Sequence, residues 1–270
     1  MTSQTILILG GGVGGVVAAN TLRRRIGRRH RIILVDREPH FTFAASFLWV
    51  MTGDRRPEQI ARPLARLERR GVEVVRGEVE RIDPERREAV VDGRTLAADH
   101  LVIALGAQFA PEAIPGLAES GHTFCTIEGA ARLREVLAEV RAGRVIVLTA
   151  APAYKCPAAP YEAAMLIDGL LQRRGLRRAV ELEVHSAEPG PMGVAGPEAS
   201  AAVRAMVEQK GIAYRPQHQI LRADGRRVVF TDGVTRDFDL LVYVPPIRPP
   251  LALHDSGLVD ETGWVRVDRH

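Results

Sequence analysis

One glycine-rich turn, Gly10-Gly11-Gly12-Val13-Gly14-Gly15, and two cysteines, Cys125 and Cys156, are the residues of this chain whose types and spacing could do chemistry. The turn reads G-x-G-x-x-G. It lies between an apolar run, Thr5-Ile6-Leu7-Ile8-Leu9, and a helical pattern from Val13 to about Arg25 that Gly27 stops. In that setting Gly10 permits a tight turn, Gly12 lets a pyrophosphate approach the backbone, and Gly15 lets helix and strand pack closely. The helix N-terminus adds N–H donors and positive potential. A second apolar run, Arg31 to Val35, ends in Asp36, about 20 residues beyond Gly15, where an acid accepts hydrogen bonds from ribose hydroxyls. Arg37 beside it leaves room for a phosphorylated ribose, so the turn alone leaves both FAD and NADP open.

Cys156 follows Lys155 and precedes a helix expected to start near Pro160 and Tyr161. A helix N-terminus and a neighbouring cation both favour thiolate, the reactive form. Glu162, inside the first turn, is placed to act as acid or base. The alternative for Cys156 is a small buried core residue. Cys125 sits in a β-like run, His122-Thr123-Phe124-Cys125-Thr126-Ile127, where burial and chemistry are both open. Two cysteines cannot build a disulfide scaffold, and the eight histidines show no H-x-x-x-H pairing, so neither zinc nor an iron–sulfur cluster is expected.

The elements that must carry these residues are duplicated at an offset of 140. Thr5–Leu9 matches Val145–Thr149, Gly71-Val72 matches Gly211-Ile212, and Asp92-Gly93 matches Asp232-Gly233. Asp99, Leu101 and Val102 match Asp239, Leu241 and Val242. Each half reads strand, loop, helix, strand, hairpin and returning core strand, with Asp-Gly as the hairpin signal. The expected class is therefore α/β, with two tandem Rossmann-like, three-layer units. The second copy has lost the phosphate loop: Gly10, Gly12 and Gly15 become Ala150, Pro152 and Lys155, and residues 149–156 contain no glycine. Its second strand, Val180 to His185, ends in Ser186 with no ribose acid, so NAD(P)H should not bind there in the usual way.

Composition sets outer limits. With 270 residues, 46% apolar and 26% charged, the chain reads as a soluble two-domain protein. Its net charge of +4 comes from arginine, since Lys155 and Lys210 are its lysines. The basic run from Arg23 to Arg31 closes a helix, where cations complement the negative end, and no nucleic-acid motif accompanies it. The first strand starts too early to leave room for a signal peptide. The apolar run Phe43 to Met51 is too short to span a bilayer. A cytoplasmic location is expected.

These motifs resemble the sulfide:quinone oxidoreductases and the flavin subunit of flavocytochrome c sulfide dehydrogenase. The resemblance rests on the glycine turn with Asp36, on Ala104-Leu105-Gly106, Ile114-Pro115-Gly116 and Val244-Pro245-Pro246. Its most specific part is Lys155-Cys156-Pro157-Ala158-Ala159-Pro160-Tyr161-Glu162. It implies a glutathione-reductase-like fold lacking the C-terminal part of its FAD domain. Residues 1–112 would be the first FAD-binding segment, 113–240 a degenerate NAD-like domain, and 241–270 a truncated return. It implies FAD as cofactor, with Gly10, Gly12 and Gly15 on the pyrophosphate, Asp36 and Arg37 at the ribose, Val79 near the adenine, and Ala104 to Gly106 near the flavin. Cys156, with Glu162 and Cys125, would oxidise sulfide to sulfane sulfur and send electrons to a quinone or a haem subunit. Relatives continue past the equivalent of His270 with the last flavin strand, a partner cysteine and membrane-docking helices, so peripheral contact with the inner membrane face would come from that part. Gly129 and Pro189 to Gly196 lack histidines that some members use as proton relays, and the absence of an export signal counts against a periplasmic subunit. Self-association through an unfinished sheet edge is a further expectation. The alternatives are a type II NADH:quinone dehydrogenase and a non-catalytic flavin-binding fragment.

Overall fold

The computed structural model describes residues 2–268. The chain forms two compact units: one comprises the stretch up to Thr42, Ala61–Gln108 and the stretch from Arg248, and the other comprises Phe43–Ile60 and Phe109–Ile247.

In the first unit, β1 (Thr5–Leu9) leads through α1 (Val13–Ile26) to β2 (Arg31–Asp36). β3 (Glu73–Arg76) and an antiparallel sheet of β4 (Val79–Asp83), β5 (Glu88–Val91) and β6 (Arg94–Ala97) follow, then β7 (His100–Ile103). The parallel sheet runs β3-β2-β1-β7, with Leu9 paired to both Val35 and Ile103. An uninterrupted aliphatic strand belongs at the centre of such a sheet because both its faces are covered. Leu7 and Leu9 join Ile82, Ala89 and Val91 under the antiparallel sheet, while Ile6 and Ile8 join Ala19, Ile32 and Leu34 under α1. Asp92 and Gly93 turn the β5–β6 hairpin with φ of 45° and 74°, the paired positive φ that a type I′ turn needs.

The second unit repeats the plan. Its parallel sheet runs β10-β9-β8-β14, from Ala213–Arg215, Val180–His185, Gly143–Thr149 and Leu240–Val244 respectively. An antiparallel sheet of β11 (Ile220–Asp224), β12 (Arg227–Phe230) and β13 (Thr235–Asp237) covers one face. The other face carries α2 (Phe47–Thr52), α3 (Ile127–Glu139), α4 (Ala159–Arg173) and α5 (Pro197–Gln209).

The unit limits fall away from 112 and 240. Leu240–Val244 pairs in register with Val145–Thr149, so it belongs to the second sheet, and the return begins only at Arg248, ahead of Ala252 and Leu253 in the first core. The apolar run near residue 50 makes a separate excursion: Phe47, Leu48, Val50, Met51 and Ile60 bury with Leu133, Ala164 and Ile167 of the second unit. Among the described residues no helix is long and apolar enough to cross a membrane.

Candidate functional site

At the carboxyl end of the first sheet each glycine answers a different constraint. Gly10 has φ +106°, and an added Cβ would stand 2.4 Å from the Ala104 carbonyl oxygen. A Cβ on Gly15 would stand 1.8 Å from the Gly10 carbonyl oxygen, so the turn and α1 approach at bare-backbone distance. A Cβ on Gly12 would meet nothing within 4 Å. Gly12 is the N-cap of α1 and no side chain caps it, which leaves the first amides of the helix facing open space. Asp36, at the end of β2, accepts hydrogen bonds from the amides of Gly11 and Glu38, the latter at 2.7 Å. Gly77 N donates to the Asp36 carbonyl at 3.0 Å, which brings the start of β4, with half-buried Val79, to the same rim. Arg37 is exposed and pairs with Glu78 at 3.4 Å. Ala104 N donates to Leu9 O at 2.7 Å, and Gly106 turns with φ +68°. All eight expected cofactor residues thus surround one rim, the place where α/β sheets take their ligands.

Arg23 departs from the expected solvated helix end. It is 9% exposed, and its guanidinium donates to the carbonyls of Gly27, His30 and Gly71, tying the end of α1 to the strands that follow.

The second rim is closed by its own side chains. Leu148 pairs with His185 and Thr149 with Val244, so Ser186 follows in register opposite Thr149 and Ala187 takes the place of Asp36. No acid stands there, but Glu188 comes next. Its carboxylate accepts from the Tyr154 hydroxyl and, at 3.4 Å, from the Tyr161 hydroxyl. Tyr161 also reaches Ser186 Oγ at 3.3 Å, and Thr149 Oγ1 accepts from Ala187 N at 3.0 Å. Tyr154 comes from the segment that replaced the glycine turn. Burial and the Glu188 hydrogen bond push its phenol well above the usual tyrosine range. Sequence reading missed this cluster, although two tyrosines flanking Cys156 and an acid two residues past Ser186 were its visible traces.

Cys156 is exposed and has φ +59°, a left-handed conformation uncommon for any residue with a Cβ. Its carbonyl accepts from Ala159 N at 3.0 Å as the chain enters α4. Lys155 Nζ lies 4.6 Å from the centroid of the Phe109 ring, and burial lowers its pKa. Cys125 is half-buried and lies in a bend leading into α3. Only His122 of the expected β-like run forms a bridge, to Val242. Burial pushes the Cys125 thiol up to about 11; the charge of Cys156 adds to that, while Thr123 and Lys155 oppose it. Glu162 is exposed on the first turn of α4. Among the described residues no group of three or more His, Cys, Asp or Glu is placed to hold a metal ion.

Residues 4–270 match the family model described as pyridine nucleotide-disulphide oxidoreductase. The chain is 28% identical to a sulfide-quinone reductase of Aquifex aeolicus over 94% of its own length and 61% of the relative's. It is 25% identical to a mitochondrial sulfide:quinone oxidoreductase of Mus musculus over 98% and 61%. It thus spans about three fifths of the curated relatives it matches. The solved structure of the Aquifex aeolicus sulfide:quinone oxidoreductase superposes with a TM-score of 0.88 at 25% identity, covering 97% of this chain and 64% of that one. With the duplicated fold, the glycine rim and a match along nearly the whole length in agreement, the chain belongs to the pyridine nucleotide-disulphide oxidoreductases, a family of FAD-dependent enzymes.

Proposed function

We propose that this chain is the FAD-holding and sulfur-handling part of an oxidoreductase that takes electrons from sulfide and delivers them to a quinone. The observation that carries the reading is the asymmetry of the two rims. One keeps an open glycine cradle, and the other is filled by Tyr154, Tyr161 and Glu188 and displays an exposed thiol.

The first rim fits FAD. The open space over Gly12 and the uncapped start of α1 suit a pyrophosphate, and Asp36 needs only to exchange backbone partners for ribose hydroxyls. When bound, the flavin supplies a two-electron acceptor. Cys156 would form an S–S bond with hydrosulfide, the pair giving up two electrons and one proton to that acceptor, while Glu162, on the adjoining helical turn, would take the second proton. Cys125, held as a neutral thiol by burial, stays in reserve beside them. Because a quinone dissolves in lipid, the reading places the protein at the inner face of the plasma membrane.

The test is anaerobic titration of the FAD-loaded protein with sulfide, following flavin absorbance. Bleaching is expected, with loss of it in Cys156→Ser; a variant that still bleaches would remove Cys156 from the chemistry. A second reading is NADH:quinone reduction. It draws support from relatives such as a chloroplastic/mitochondrial alternative NAD(P)H-ubiquinone oxidoreductase of Arabidopsis thaliana, 26% identical over 76% of this chain and 43% of that protein. Rapid bleaching by NADH would favour it; the filled second rim predicts none.

A further inference from the structure

We propose that Tyr154 is a positioning residue: through Glu188 and Pro157 it holds Cys156 in its exposed, left-handed turn. The inference rests on the reading of Cys156 as the working thiol, and it assigns a use to a cleft that no longer takes a nucleotide.

A left-handed conformation is unfavourable for a residue with a Cβ and persists only where its surroundings impose it. Cys156 has φ +59° and is exposed, so packing of its own side chain cannot be what imposes it. The constraint comes from the residues on either side. Tyr154, two residues before the cysteine, donates to the Pro157 carbonyl, one residue after it, at 3.4 Å. The one proton of that phenol is shared, and its shorter bond goes to the Glu188 carboxylate just past β9, so the hydroxyl touches the turn and ties it to the parallel sheet. Tyr161, five residues beyond the cysteine, brings a second phenol to that carboxylate at 3.4 Å. Chain on both sides of Cys156 thus converges on a single acid. Glu188 is itself held from behind: its amide donates to Ser186 Oγ at 3.2 Å, and Ser186 meets Thr149 Oγ1 at 3.4 Å on the central strand.

The internal comparison shows what has changed. In the first unit the acid after the second strand lies open to a ligand, beside glycines that leave space. In the second the acid has moved one residue along the chain, from the Asp36 position to Glu188, and the space is taken by the tyrosine that binds it. Hydrogen bonds to an ionised, partly buried acceptor are the strong ones, so this acid makes an effective anchor.

The test reads the thiol and its loop directly, with neither sulfide nor flavin, so its failure and that of the sulfide reading are separable. Alkylation of Cys156 by iodoacetamide, located by mass spectrometry across a pH series, is combined with hydrogen exchange of the amides of residues 155–159. Tyr154→Phe keeps the ring and removes the hydroxyl. It is expected to speed exchange of those amides about tenfold or more, as loss of a charge-assisted hydrogen bond does, and to shift the alkylation profile. Glu188→Gln still accepts from a phenol but without charge assistance, so its effect should fall between wild type and Tyr154→Phe, whereas Glu188→Ala should speed exchange about tenfold or more. The double variant should show clearly less than the sum of the two single effects, since both remove the Tyr154–Glu188 link. Unchanged exchange and alkylation in a folded Tyr154→Phe protein, or additive effects in the double variant, would overturn the proposal.

Discussion

Two glycines in one short turn give opposite outcomes when a methyl group is added. At Gly15 the new Cβ would collide with the Gly10 carbonyl at 1.8 Å, against backbone that cannot yield without parting α1 from β1. Gly15→Ala should therefore lower the melting temperature of the apoprotein and abolish FAD uptake. At Gly12 the methyl enters open space and φ is −73°, which alanine adopts freely. Gly12→Ala should melt within about 0.5 kcal/mol of wild type, as surface changes do, yet bind FAD at least tenfold more weakly because the methyl stands where the pyrophosphate must lie. Calorimetry of the apoproteins and fluorescence titration with FAD separate the two effects. Equal FAD affinity in Gly12→Ala would move the cofactor elsewhere. The strand, tight turn and helix start around these glycines were legible beforehand because those elements and the acid after them follow a fixed spacing. The hydroxyl of Tyr154 was not, because its partner Glu188 lies 34 residues away and no periodicity links the two.

At the scale of single elements, β9 shows where pattern reading stops. Val180-Glu181-Leu182-Glu183-Val184-His185 alternates as a half-exposed strand should, which would turn its polar residues to water. The apolar set enters the helix-covered core as expected. Glu183 and His185 nevertheless have no exposure at all, because the β11–β13 sheet covers them and Phe230 stacks on His185 at 5.0 Å. Their burial is tolerated because Glu183 has one close partner, His185 Nε2 at 2.6 Å from Oε2, and two ion pairs on Oε1, to Arg144 and Arg236 at 3.4 Å each, although Oε1 itself makes no hydrogen bond among the described residues. Burial alone would raise the Glu183 pKa, but the hydrogen bond and charge of His185, with smaller contributions from Glu181 and Arg236, more than offset it and take it to about 2. A carboxyl group depressed on folding stabilises the protein above its unfolded value near 4.5, and that contribution is lost as pH falls toward 2. Glu183→Gln should cost roughly 1.5–3 kcal/mol at neutral pH, the range for losing hydrogen bonds to a charged group. It should also flatten the decline in stability as pH drops below about 4.5. Denaturant melts at several pH values check both; parallel wild-type and variant curves would mean that another group sets the acid limit.

Across the molecule, the duplication was readable because both copies keep the same strand order and an Asp-Gly pair in the corresponding hairpin, although the first hairpin turns in two residues and the second in four. The excursion of Phe43–Ile60 into the second core was hidden, since an apolar run records that it will be buried but not against what. Ligand linkage tests the assignment of the two units. Free FAD at a hundred times its dissociation constant should stabilise the chain by about 2.7 kcal/mol, a clear rise in melting temperature. NADH at the same concentration should leave the melting curve where it was. An equal shift with NADH would mean that the second rim opens to nucleotides after all.

The chain passes between its units at Thr42, Ile60, Gln108 and Ile247, so neither can be excised as one continuous piece. For a ribosome this shifts the order in which the two cores can close. The residues that line the second core have all emerged by Val244, whereas the first core, begun with β1, still awaits Ala252 and Leu253. During synthesis the thiol-bearing core can therefore pack before the one that opened the chain.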